Sequence, residues 1–237
     1  MMKKIVCAFL VVVLMASVSF ATADTNENIV FHGIPWDISI NELASALKER
    51  GIPVGYNDIS NDANMAVWTY EFRNSYEHDI ETTGHKISRY FWNDDVVVNI
   101  AGYPVQRMEF YAHYDITDGV LKQDANESRY YLTNSWFDVD DEMAVSVYND
   151  LSSKLTRLYG NGSENTTYIV DNTYTYTVWN GANNTAVCLY RSVSDSSDYQ
   201  FVHLMYGKTN IEETLQNVRK LVIEKQVQSV AEDVTGL

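Results

Sequence analysis

The chain has 237 residues, 46% hydrophobic and 13% aromatic, with 17 basic against 32 acidic residues and a formal charge of −15. That is enough chain for one large domain or two small ones, and enough apolar side chain to give it a core. So acidic a chain repels phosphate backbones and has no basic patch for an anionic membrane surface, which argues against nucleic acid as a partner.

The chain opens with Lys3 and Lys4, an apolar run from Ile5 to Met15, and Ala21-Thr22-Ala23. A basic start, a short apolar stretch and a small-x-small site predict a secretory signal peptide over 1–23, too short to be a stable membrane span. The start resembles bacterial signal peptides. The expected location is therefore extracellular, cell-wall associated or periplasmic. Removing 1–23 leaves 214 residues and takes the formal charge from −15 to −17, because Lys3 and Lys4 are the charged residues lost. Cys7 leaves with the leader, so Cys188 stands alone and no internal disulfide is expected. No second apolar stretch follows near the C-terminus, so no stable membrane span is expected after signal removal. The acidity reads as solubility outside the cell. The Asn-x-Ser/Thr sites at Asn126, Asn161, Asn165 and Asn183 read as loop asparagines of a bacterial chain.

Past Phe31-His32-Gly33-Ile34-Pro35-Trp36, the run Ser39-Ile40-Asn41-Glu42 is a capping box, with Ile38 and Leu43 at staple positions and Gly51 as a C-terminal cap. This predicts a helix over 40–50 that buries Leu43 and Leu47. Period-two alternation then predicts a strand around Ala66, Trp68, Tyr70 and Phe72. Residues 88–92 and 96–100 flank Asn93-Asp94-Asp95 as a hairpin, and Met108, Phe110, Ala112 and Tyr114 give another apolar face. The stretch 118–128 is polar. A strand is predicted over 129–137. Asp138, Asp140, Asp141 and Glu142 then suit the positive start of a helix. Ala144, Tyr148, Leu151, Leu155 and Leu158 recur at helical spacing up to Gly160. Strands follow over 168–179, 185–192 and 199–206. A last helix over 211–230 is marked by Ile211, Leu215, Val218 and Val222.

The order helix, strands, helix, strands, helix predicts an α+β fold: antiparallel meander sheet with helices packed on one face, arranged as a degenerate tandem repeat. The expected units are 24–118, a helix plus meander; 119–128, a polar connection; 129–208, a second helix plus meander; and 209–237, a C-terminal helix.

The segment Gly33-Ile34-Pro35-Trp36, the capped helix with Gly51-Ile52-Pro53, and Tyr148 to Leu158 with Tyr159-Gly160 and a later Trp179 resemble one pattern. It is that of uncharacterised exported proteins of Firmicutes type. More distantly the chain is similar to beta-lactamase-inhibitor-protein-like domains, in which a helical start packs on a meander sheet. The resemblance covers about residues 31–206 and implies a non-catalytic envelope or extracellular binding module. It transfers no functional residue.

Motifs for chemistry are sparse. There is no Gly-x-Ser-x-Gly elbow and no His-Glu-x-x-His. His78 and His85, beside Asp79 and Glu81, read as a solvated loop before they read as metal ligands. Two acidic clusters, Asp138/Asp140/Asp141/Glu142 and Asp58/Asn61/Asp62/Asn64, lack calcium-loop spacing and read as helix capping and a polar turn. No cofactor or metal is expected. If the 194–198 turn is symmetric about Asp195 and Ser196, Cys188 faces His203, the minimum for a cysteine nucleophile. The competing reading is a buried structural thiol among Val187, Leu189 and Tyr190. Tyr174 and Tyr176 alternate with threonines up to Trp179, a row of rings suited to a protein or glycan ligand. With 17 tyrosines, such a row is also simply one face of a sheet. The leading expectation is a secreted, non-enzymatic protein- or glycan-binding module using Tyr174, Tyr176 and Trp179. A cysteine-dependent enzyme using Cys188 and His203 and a structural envelope protein are the alternatives.

Overall fold

The computed structural model describes residues 27–55, 58–67, 80–91, 97–137, 139–169, 172–194 and 200–235. The expected leader 1–23, Trp68, Tyr70, Phe72, His78, residues 93–95 of the expected hairpin, Asp138 and residues 195–198 lie outside them.

Helix α1 (Ile40–Glu49) starts as its capping residues dictate. The Ser39 N–H donates to Glu42 Oε2 at 2.8 Å and the Glu42 N–H donates to Ser39 Oγ at 3.2 Å. Two amides of the first turn are thus satisfied locally. Ile40, Leu43 and Leu47 are fully buried. The helix ends into Gly51, whose φ of +75° favours glycine.

The strands are β1 (Ile59–Val67), β2 (Ile80–Tyr90), β3 (Asn99–Ile100), β4 (Tyr103–His113), β5 (Asp115–Thr117), β6 (Val120–Lys122) and β7 (Arg129–Phe137). After α2 (Asp141–Tyr159) come β8 (Ser163–Ile169), β9 (Asn172–Asn180), β10 (Thr185–Ser194) and β11 (Gln200–Lys208), then α3 (Glu212–Thr235). Two sequence expectations change. β2 pairs with β1 and β4 rather than with residues 96–100, and Asn99 and Ile100 fold back on Pro104 and Tyr103. The polar stretch after Thr117 also holds a hairpin of its own. Asp118 (φ +52°) and Gly119 (φ +75°) form the doubly left-handed two-residue turn that joins β5 to β6.

Among the described residues one antiparallel sheet runs in the order β1-β2-β4-β7-β11-β10-β9-β8, with β3 attached to β4. The order mirrors about its centre. Each half is a helix followed by four strands on this path, and the last strand of each half, β7 and β11, pair in the middle.

Alternation along the strands separates two faces. The inner face carries Ile87, Met108, Phe110, Val187, Leu189, Val202 and Leu204, packed with α1 and with Ala144, Val147, Tyr148, Leu151 and Leu155 of α2. The third helix departs from the expected common layer and lies on the outer face. There Ile211 and Leu215 pack with Tyr111, Tyr131 and Leu132, while Val218 and Val222 pack with Tyr114. The outer face of β9, β10 and β11 has an apolar cluster of its own, with no helix residue among its members. No helix among the described residues is long and apolar enough to cross a membrane.

Candidate functional site

Strand register builds the site. On the outer face, one row across the sheet reads Tyr90, Arg107, Trp136, His203, Tyr190 and Tyr176. The adjoining row, nearer the β10–β11 connection, holds Phe201, Ser192 and Tyr174. The row on the other side includes Ser88, Glu109, Asn134, Met205, Cys188 and Val178. Aromatic side chains from four strands therefore meet on one patch. Tyr190 lies 5.5 Å from Tyr174, 5.8 Å from Phe201 and 4.4 Å from His203 between ring centroids. His203 also lies 5.6 Å from Trp136.

Tyr190 and His203 are buried at the hub, while Trp136, Tyr174 and Phe201 are half-exposed around it. These side chains, with Asn134 and Met205, line a concavity of about 290 Å³. Asn134 is only 6% exposed, and its carboxamide oxygen accepts no hydrogen bond from the described residues.

Charge enters from the β2–β4 side. The Glu109 carboxylate, 2% exposed, accepts from Lys86 Nζ at 2.6 Å and Ser88 Oγ at 3.2 Å, and also from Arg107 Nη2 and the Tyr111 hydroxyl. Burial pushes its pKa up, but the Lys86, Tyr111 and Arg107 interactions outweigh this and hold it below the usual glutamate value. Anchored so, the Arg107 guanidinium lies 4.8 Å from the Tyr90 ring and 4.7 Å from the Trp136 ring. Both are cation–π distances.

The proposed row of rings divides. Tyr174 lines the concavity. Tyr176 shares its face but is 5% exposed, packed with Val178, Cys188, Tyr190 and Met205. Trp179 has the opposite parity. It is 1% exposed in the inner core, where its indole N–H donates to the Gly160 carbonyl at 3.0 Å. Trp179 is therefore a core residue and no part of a surface site. Sequence reasoning missed Trp136, Tyr190 and Phe201. Their signal was alternation in their own strands, as in Phe201, His203 and Met205 against Val202 and Leu204.

Cys188 and His203 share the outer face but are not cross-strand partners. Cys188 pairs with Met205 and His203 with Tyr190, because the hairpin is centred one residue later than Asp195 and Ser196. One residue of turn displacement shifts the pairing by two. Cys188 is fully buried. Of the metal candidates, Asp58 accepts from the Gly55 N–H at 2.6 Å and faces Arg89 at 3.5 Å, while Asp140 stands at the N-cap of α2. Among the described residues no three His, Cys, Asp or Glu side chains gather as a metal site would require. His85 is buried edge-on to Tyr114.

A second concavity of about 440 Å³ lies beside Trp36. Its polar groups close on one another: Lys208 Nζ pairs with Asp37 at 2.8 Å, Asn183 Nδ2 donates to Asn28 Oδ1 at 2.8 Å, and Trp36 Nε1 donates to the Ile29 carbonyl at 2.9 Å.

Burial fixes two imidazoles as neutral. It lowers the His203 pKa to about 3 and the His113 pKa to about 4. Both lie below the unfolded value of about 6.5, so the unfolded chain takes up protons first and stability is lost as pH falls from 6.5 toward 4. Each group contributes a slope of about 1.4 kcal/mol per pH unit there. Melting curves between pH 7 and 4.5 are expected to show a steep fall, and His203→Phe to reduce the slope by about 1.4 kcal/mol per pH unit. An unchanged slope in that variant would mean that His203 is charged in the fold.

Comparison with protein-family models, curated proteins and solved structures finds no match.

Proposed function

We propose that this is an exported, non-enzymatic binding module whose outer sheet face takes a protein or glycan ligand at the cell surface or outside the cell. One observation carries the reading. Trp136, Tyr174 and Phe201 present half-exposed rings around a concavity, on a part of the sheet whose apolar cluster includes no helix residue. Aromatic rings held rigid by a sheet offer large contact area at small entropic cost. The leader-like start at Lys3 to Ala23 supports export, and the acidity supports life outside the cell. The order of a helix followed by four antiparallel strands in each half supports kinship with the beta-lactamase-inhibitor-protein-like domains, proposed along with it.

The test is a benzophenone amino acid at position 174, with position 153 on the exposed side of α2 as control, in cells that secrete the protein. Irradiation is expected to give covalent adducts from 174 and none from 153, read by intact mass and gel mobility. Adducts from both positions alike, or from neither, would overturn the proposal.

A further inference from the structure

Resting on the binding reading above, we infer that the aromatic concavity is a carbohydrate site, and that its ligand is a neutral pyranose held between the half-exposed rings and the Asn134 carboxamide. Three observations choose this ligand over others. First, Trp136, Tyr174 and Phe201 bring ring surface from three separate strands to one patch of about 290 Å³. That is at the small end of ligand pockets, which run from about 300 to 1,000 Å³, and suits one or two sugar rings rather than a large cofactor. A pyranose offers one face of C–H groups that packs flat on such rings.

Second, Asn134 sits in the row beside them, 94% buried, with a carboxamide oxygen that accepts nothing from the described residues. That oxygen is already shut off from solvent and unpaired, and a wholly apolar ligand would leave it so. A ligand with hydroxyls around its edge satisfies it, and a pyranose combines an apolar face with just such an edge. Third, the Arg107 guanidinium is held over the Trp136 ring at 4.7 Å by the Glu109 network, and its Nε–H donates to no acceptor among the described residues. A fixed cation at this rim opposes a cationic ligand of the kind aromatic cages bind. The chain's formal charge of −15 opposes polyanions. A neutral hydroxylated ligand meets both conditions.

The experiment is isothermal titration of the full secreted protein with cello-, xylo-, manno- and chito-oligosaccharides, with Trp fluorescence as a second readout. At least one series is expected to saturate. Asn134→Leu and Tyr174→Ala are each expected to weaken it by about tenfold, the worth of one buried hydrogen bond or one stacked ring. Tyr174 is half-exposed, so its variant keeps the test decisive should the Asn134 variant fail to fold. If no oligosaccharide saturates, or if saturation is indifferent to both substitutions, the carbohydrate inference is overturned. The photo-cross-linking result separates this from the wider reading: a protein adduct from position 174 with no saccharide binding leaves a binding module of another specificity, and no adduct removes both.

Discussion

A Glu109→Ala variant is expected to melt roughly 6–12 °C below the parent protein, the largest loss from any single charged residue. The carboxylate is 2% exposed and takes contacts from Lys86, Ser88, Arg107 and Tyr111 at once. Removing it leaves two partly exposed cations, Lys86 and Arg107, without their shared buried anion, which costs about 3 kcal/mol, the low end of the range for a broken buried pair. At about 2–4 °C per kcal/mol for a protein of this size, the melting temperature moves by that amount. The companion experiment replaces the whole cluster with Lys86→Met, Arg107→Met and Glu109→Leu. Well-packed apolar side chains are then expected to recover most of the loss. If the single variant melts like the parent, the network is solvated and carries no such weight.

Trp179→Ala is expected to cost about 3–5 kcal/mol, the range for emptying a large aromatic side chain from a core. The indole is 1% exposed and packed in the cluster that joins α1 and α2 to the sheet. Trp179→Phe should lose only about 1 kcal/mol with the N–H bond to the Gly160 carbonyl. The space around the ring is closed. A Cβ on Gly162 would stand 2.7 Å from Trp179 Cε2 and 2.6 Å from Thr177 Cγ2, so Gly162→Ala pushes directly on the same ring. Denaturant unfolding distinguishes this from the surface role that the chain's pattern first implied, because a surface tryptophan could be removed with little change in midpoint.

These contrasts show what was readable in the chain. Local rules succeeded where the determinants are local. Ser39 and Glu42 name the start of α1 by their own hydrogen bonds, and Arg129 to Phe137 forms a strand over the expected span. The α+β class follows from the same periodicities. Local rules failed where a fact depends on two distant segments. The partner of Cys188 is set by the β10–β11 register, in which an expected centre one residue too early moves every pairing by two. The side taken by Trp179 was decided by parity from Tyr176, three residues away, and an odd step turns a side chain to the opposite face. Trp136 and Phe201 lie far apart in the chain, and their meeting depends on the β7–β11 pairing, which no local signal announces. The hairpin at Asp118-Gly119 was readable, since Asp-Gly is a favoured pair for that turn.

The mirrored strand order carries a consequence for how the molecule comes into being. A ribosome delivers the chain from its amino end, and β1, β2, β4 and β7 can zip together as soon as residue 137 is free. What they form is a half-sheet whose last strand keeps one open row of amides and carbonyls, the kind of edge that recruits foreign strands. Its rightful neighbour is β11, residues 200–208, which arrives after every other strand. The seam at the centre of the finished sheet is thus the last to close, and the two halves depend on each other until it does. Long-range closure of this kind is slow. The centre of the sheet is therefore completed only when the chain itself is nearly complete.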